Sequence, residues 1–254
     1  MQVLVCSEPH HLELRHADRP ACTAGHAVVK IQRIGICGTD IHAYGGNQPY
    51  FQYPRVLGHE LAGEIVEVAD EHDTPLLGQQ VYVIPYLHCG ECRACQQLKT
   101  NCCQNMQVIG VHRDGGMADY LAVPTTHLVV SDTLSIDQLA LVECMAIGAH
   151  AVRRSALEAD ELAVIVGAGP IGMGVLQVAK SRGARTLMVD TNSSRLSFCR
   201  DVLGADAVAN PNEDDVMALI SERNRRYRKS SRHAEGVQSC RPWRALCVSE
   251  CGES

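Results

Sequence analysis

Cys89, Cys92 and Cys95 recur at intervals of three, and the pair Cys102-Cys103 follows a few residues later. Four thiolates at such spacings can close a tetrahedral zinc site from one loop, and a site closed in this way keeps no position for substrate. A second set lies upstream, in Gly35-Ile36-Cys37-Gly38-Thr39-Asp40-Ile41-His42 and Gly58-His59-Glu60. A thiolate and an imidazole suit zinc, and a catalytic zinc needs about three protein ligands and one open position. Glu60 or the later Glu143 could be the third ligand. A third pattern, Gly167-Ala168-Gly169-Pro170-Ile171-Gly172, is followed by Asp190, 23 residues after Gly167. In such a turn the first glycine permits the bend, the second lets a pyrophosphate approach, and the third lets helix and strand pack closely. The N–H groups at the start of the following helix then face the phosphates. Asp190 can accept hydrogen bonds from an adenosine ribose; its carboxylate would repel a 2′-phosphate, so NAD is expected rather than NADP.

These groups must be held by elements that the sequence also signals. Before residue 150, short apolar or alternating runs occur at 2–6, 26–36, 61–68, 80–84 and 119–124, separated by Gly, Pro and Asn. That texture predicts a barrel-like β domain over residues 1–150, with metal organising its irregular Cys- and His-rich parts. After Ala151 the texture changes. Strands are predicted at 162–166, 186–190 and 207–209, with helices at 171–181, 193–203 and 214–223. This βαβαβα order implies a parallel sheet with right-handed crossovers, so the fold class is α/β with a β-rich part.

Composition narrows the function. Hydrophobic residues make up 46% of the chain and charged residues 20%, enough to build a core. The net charge of −6 does not suit non-specific nucleic-acid binding. Around the cysteine loop only Arg93 and Lys99 are basic, so a nucleic-acid zinc module is not expected. Residues 162–179 are uncharged and near membrane-spanning length, but they hold four glycines and a proline, and read better as strand, turn and helix. With no export signal at the start, a cytoplasmic location is expected, where clustered cysteines serve metals more often than disulfides.

The three motifs, in this order over residues 1 to about 224, resemble the zinc-dependent medium-chain dehydrogenases, the family of alcohol and polyol dehydrogenases. Segments 45–49, 53–60, 108–112 and 114–116 are similar to the L-galactonate 5-dehydrogenase type of sugar-acid dehydrogenase. The resemblance implies a GroES-like catalytic domain, a Rossmann domain, two zinc ions and NAD. By its spacing, Cys103 rather than Cys102 completes the structural zinc site with Cys89, Cys92 and Cys95. Cys37, His59, Glu60 and Glu143 fall on catalytic-zinc positions, although Glu143 is followed here by Cys144 where the family usually has proline. The implied reaction is hydride transfer from a secondary alcohol of a polyol or sugar acid to NAD. Thr39 falls on the position that takes the alcohol proton, and His42 on the one that passes it to solvent. A zinc-free quinone reductase of the same superfamily does not fit Cys37, His59 and the cysteine loop. The implied partner is a small molecule, with no nucleic acid or membrane, and full-length relatives are expected to be homo-oligomers.

From Arg225 the periodicity stops. Residues 225–254 carry seven basic and three acidic residues, three of the thirteen cysteines and the only Trp. They read as a basic tail outside the natural frame, after the first half of a Rossmann domain at 151–224. A truncated dehydrogenase is expected, with strands four to six of its sheet missing, an apolar sheet face exposed and its activity in doubt. The competing expectation is a non-catalytic zinc-binding fragment.

Overall fold

The computed structural model describes residues 1–49, 51–230 and 244–247, with backbone alone for 224–230 and 244–247. The chain forms two compact units, Met1–Glu143 and Cys144–Ser254.

The first unit holds strands β1 (Gln2–Glu8), β2 (His11–His16), β3 (His26–Gly35), β4 (Arg55–Val56), β5 (Glu60–Val68), β6 (Gln80–Val83), β7 (Tyr86–Leu87), β8 (Gln107–Val108), β9 (Tyr120–Pro124) and β10 (Leu128–Val130). Its short helices are α1 (Gly38–Tyr44), α2 (Arg93–Gln96) and α3 (Ile136–Ala140). The central antiparallel sheet has the order β10-β6-β5-β3-β9; β2-β1-β4 and β7-β8 form two smaller sheets. Alternation along the strands buries Ala27, Val29, Ile65 and Val81 in one cluster and Leu61, Val83 and Val123 in another. The five-stranded sheet ends at β9 and β10, so the domain expected to be barrel-like contains no closed barrel among its described residues. In the β3–β5 pairing Gly35 stands opposite Glu60. The chain leaving β3 therefore runs into Cys37 beside the chain that enters β5 through His59.

The second unit contains most of α4 (Val142–Ser155), then β11 (Leu162–Val166), α5 (Pro170–Ser181), β12 (Arg185–Val189), α6 (Ser193–Asp201), β13 (Ala207–Ala209), α7 (Val216–Ser230) and β14 (Arg244–Cys247). The compact units divide in the first turn of α4, whereas the expected domain boundary at 150/151 falls inside that helix. The sheet is parallel, in the order β13-β12-β11-β14. Ala163, Ile165 and Met188 face Val175, Leu176 and Ala179 of α5 and Leu196 of α6. Leu162, Val164 and Leu187 face Ile220 of α7. Burial on both faces explains the unbroken apolar run of β11.

Two expectations about this unit change. The apolar face predicted to be bare is covered by α7, and a fourth strand, β14, lies beside β11. The tail predicted from residue 225 includes the end of α7 and β14; its remainder lies outside the described residues. No helix among the described residues is long and apolar enough to cross a membrane.

Candidate active site

Cys37 sits at the N-terminus of α1, where its backbone N–H donates to Asp40 Oδ2 at 2.9 Å. Asp40, only 4% exposed, also accepts from the N–H of Gly58 through Oδ1 at 3.0 Å. The same Oδ1 lies 3.9 Å from His59 Nδ1. One buried carboxylate thus ties the Cys37 turn to the His59 strand entry through two backbone N–H groups and sets its negative charge near the imidazole. The sequence reading passed over Asp40. Its signal was the Cys37-x-x-Asp40 spacing, in which the N-cap side chain and the acid three residues on satisfy each other's backbone N–H.

Glu60 reaches the same place because residue 35 has no side chain. A Cβ built at Gly35 would stand 2.1 Å from Glu60 Oε2 and 2.8 Å from its Cβ. The ligand atoms of Cys37, His59 and Glu60 all lie within 4.8 Å of one another. Burial pushes the Glu60 carboxyl up, as does the charge of Glu143, while His59 pulls it down. Burial alone would lower His59; Cys37, Asp40 and Glu143 outweigh it and push the imidazole up to about 9. Glu143 is buried but outside the convergent group; its Oε1 accepts a hydrogen bond from the Tyr86 hydroxyl. Tyr86, on β7, is a second residue that the sequence reading missed, and no local pattern marks it. Burial, with the charge of Glu143, pushes its phenol up.

This donor set fits a divalent zinc ion. Cys37, Asp40, Glu60 and Glu143 concentrate acidic groups around one imidazole, and His59 Nδ1 is buried without a hydrogen-bond partner. Buried charge of one sign calls for a counter-ion, and mixed S, N and O donors suit zinc. Thr39 Oγ1 lies 3.7 Å from Cys37 Sγ. His42, half-buried, follows three residues later on the same face of α1.

The cysteine loop is a separate centre. The sulfurs of Cys89, Cys92, Cys95 and Cys103 lie within 4.8 Å of one another. Cys92–Cys95 and Cys89–Cys103 are each 3.5 Å apart, too long for a disulfide and close to the roughly 3.8 Å edge of a tetrahedral zinc–thiolate site. Cys102 is exposed and outside the group. The backbone N–H groups of Cys95 and Gln104 hold the Cys92 thiol down at about 6. Burial and the neighbouring sulfurs push Cys95 up to about 12. A bound cation would let all four sulfurs ionise together.

In the second unit the glycine turn joins β11 to α5. Gly167 turns the chain at φ +98°, and a Cβ on Gly172 would meet the Gly167 carbonyl oxygen at 1.8 Å. Asp190, just after β12, accepts from the N–H of Ala168 at 2.6 Å and from that of Asn192 at 2.7 Å. Its carboxylate is thereby fixed beside the turn. The turn stands at the C-terminal end of β11, where the strand order reverses toward β14.

Residues 23–133 match the family model of the alcohol dehydrogenase GroES-like domain, and residues 170–228 that of zinc-binding dehydrogenases. The crystal structure of 2R,3R-butanediol dehydrogenase from Bacillus subtilis superposes with a TM-score of 0.79 at 30% identity, over 87% of this chain and 67% of that one. The chain belongs to the zinc-dependent alcohol dehydrogenase family. Among its relatives in that family, L-galactonate-5-dehydrogenase of Escherichia coli (strain K12) is 48% identical over 195 residues, 77% of this chain. The chain spans 57% of that curated relative's length. A short chain alcohol dehydrogenase from E. coli CFT073, crystallised with NADH, superposes with a TM-score of 0.82 at 30% identity, over 87% of this chain and 66% of that one. In keeping with the family's name, this chain presents zinc-type donor sets, one mixed and one all-sulfur.

Proposed function

We propose that this chain carries the site of a zinc- and NAD-dependent dehydrogenase acting on a secondary alcohol of a polyol or sugar acid, L-galactonate or a close analogue. The convergence of Cys37, His59 and Glu60 carries the reading, because it offers a metal three different ligands, the number that a catalytic zinc takes from the protein. When bound, zinc supplies Lewis acidity to a hydroxyl and the nicotinamide accepts the hydride.

The chain's own residues do the rest. Cys37, His59 and Glu60 hold the ion, and Asp40 ties together the two chain segments that carry Cys37 and His59. The Thr39 hydroxyl accepts the proton of the substrate alcohol, and His42 carries it on toward solvent. Gly167, Gly169 and Gly172 admit the pyrophosphate to the backbone, and Asp190 receives the adenosine ribose. The fixed carboxylate of Asp190 favours NAD over NADP by charge repulsion. Cys89, Cys92, Cys95 and Cys103 hold a second, structural zinc. The reduced thiols fit a cytoplasmic setting.

A second reading keeps the metals and drops the turnover. It is favoured by the described parallel sheet, which has four strands where a complete dinucleotide fold has six. Metal content and NADH formation from L-galactonate, measured on the same zinc-loaded preparation, separate the two. Two zinc ions with NADH formation support the dehydrogenase; two zinc ions without it support the second reading; no zinc at the Cys37 site overturns both.

A further inference from the structure

Two buried carboxylates lie near the His59 imidazole, one inside the Cys37 donor group and one outside it. Glu60 is 5% exposed and Glu143 is 7% exposed. They are held differently. Glu60 lies across Gly35, opposite it in the β3–β5 ladder, with its carboxylate among the ligand atoms of Cys37 and His59. Glu143 enters from the first turn of α4, and its Oε1 is occupied by the Tyr86 hydroxyl. Tyr86 is itself anchored, paired with Val108 in the β7–β8 sheet.

We infer that Tyr86 is a positioning residue that withholds Glu143 from the metal, so that Glu60 supplies the carboxylate ligand. This rests on the zinc reading above. A phenol is a hydrogen-bond donor at neutral pH, and by holding Oε1 it keeps the Glu143 carboxylate outside the Cys37–His59–Glu60 group. Remove the hydroxyl and Glu143 becomes a buried carboxylate without that partner, which is costly. A cation bound by Cys37, His59 and Glu60 would be the replacement. Tyr86 thereby sets the coordination number at the open site, and with it the room left for a substrate hydroxyl.

The test uses the 254-residue chain with cobalt(II) in place of zinc, and Cys37→Ser supplies the baseline spectrum of the four-cysteine site. Four-coordinate cobalt absorbs more strongly in the visible than five-coordinate cobalt. In Tyr86→Phe the visible intensity of the Cys37 site is expected to fall about twofold as Glu143 joins the ion. Adding Glu143→Gln to that variant should restore the parent spectrum. In the parent background, Glu143→Gln should leave the spectrum unchanged and Glu60→Gln should alter it. An unchanged Tyr86→Phe spectrum overturns the inference, as does a change on Glu143→Gln alone. Should Tyr86→Phe fail to fold, the Glu60→Gln and Glu143→Gln pair decides. Failure of cobalt to bind the Cys37 site at all removes the zinc reading as well, which distinguishes the two failures.

Discussion

The two donor clusters of the first unit solve one problem in opposite ways. Cys89, Cys92, Cys95 and Cys103 come from a single loop and use a single atom type. Cys37, His59 and Glu60 come from the exit of β3 and the entrance of β5, and use sulfur, nitrogen and oxygen. Around the loop, support comes from backbone N–H groups, such as that of Cys89 on Cys103 Sγ at 3.3 Å. Around the mixed site, support comes from side chains and a close approach: Asp40, Tyr86 and the bare Cα of Gly35. A closed metal site organises the chain around it; an open one has to be organised by the chain, because one coordination position must stay free.

That contrast can be broken most sharply by removing one ligand from each cluster. Cys37→Ser is expected to lose one zinc ion and to lower any turnover by more than about a hundredfold, the upper end for changes to outer partners. The parent's melting temperature should be largely kept. Cys95→Ser should lose the other ion and open residues 89–103 to proteolysis, because a metal held by four thiolates of one loop would be part of its fold. Metal analysis and limited digestion of the two variants check this; equal loss of protection in both would erase the distinction.

Next in size is Gly35→Ala. The new methyl collides with Glu60, so zinc affinity at the mixed site should fall about tenfold while the all-sulfur site is untouched. Chelator competition measures both. A comparable loss is expected in the second unit for Asp190→Ala, which should weaken NAD binding about tenfold and narrow its advantage over NADP; calorimetry with each nucleotide checks it.

The smallest effect is a baseline away from both metals. Asp206 accepts from the Thr186 N–H and hydroxyl, each at 2.8 Å, and faces Lys180 Nζ at 3.7 Å. Burial raises its carboxyl, but the Thr186 donors and Lys180 outweigh it and hold it below the ordinary aspartate value. A carboxyl lowered in the folded state stabilises above its unfolded pKa of about 3.9, and that contribution disappears as pH falls through the folded value. Asp206→Asn should therefore cost about 0.5 kcal/mol near neutral pH, reduced by solvent screening, and the gap from the parent should close in acid. Denaturant titrations at several pH values check the sign.

Legibility in the sequence followed the same division. The cysteine spacing is local, and β11 with its glycine turn is a strong signal because both faces of the strand are buried and only glycine fits residue 172. Strands 162–166 and 207–209 stand where periodicity placed them. Exposed β2, with leucines at 44% and 65% exposure, has no buried face to enforce a readable pattern. β4, β7 and β8 span two residues each, too few for any period to be seen. Of the mixed cluster, the sequence marks the three side chains that the fold brings together, and not the residues around them. Asp40 reads as a helix cap, and Tyr86 meets Glu143 across 57 residues of chain, a relation that only the fold creates.

Zinc K-edge absorption on the zinc-loaded chain tests most directly whether the two clusters are distinct metal centres. Two ions per chain are expected, with an averaged shell of about two and a half sulfurs and the remainder nitrogen and oxygen; Cys37→Ser should leave one ion with an all-sulfur shell. A single ion already in an all-sulfur shell in the parent would contradict the open centre at Cys37, His59 and Glu60.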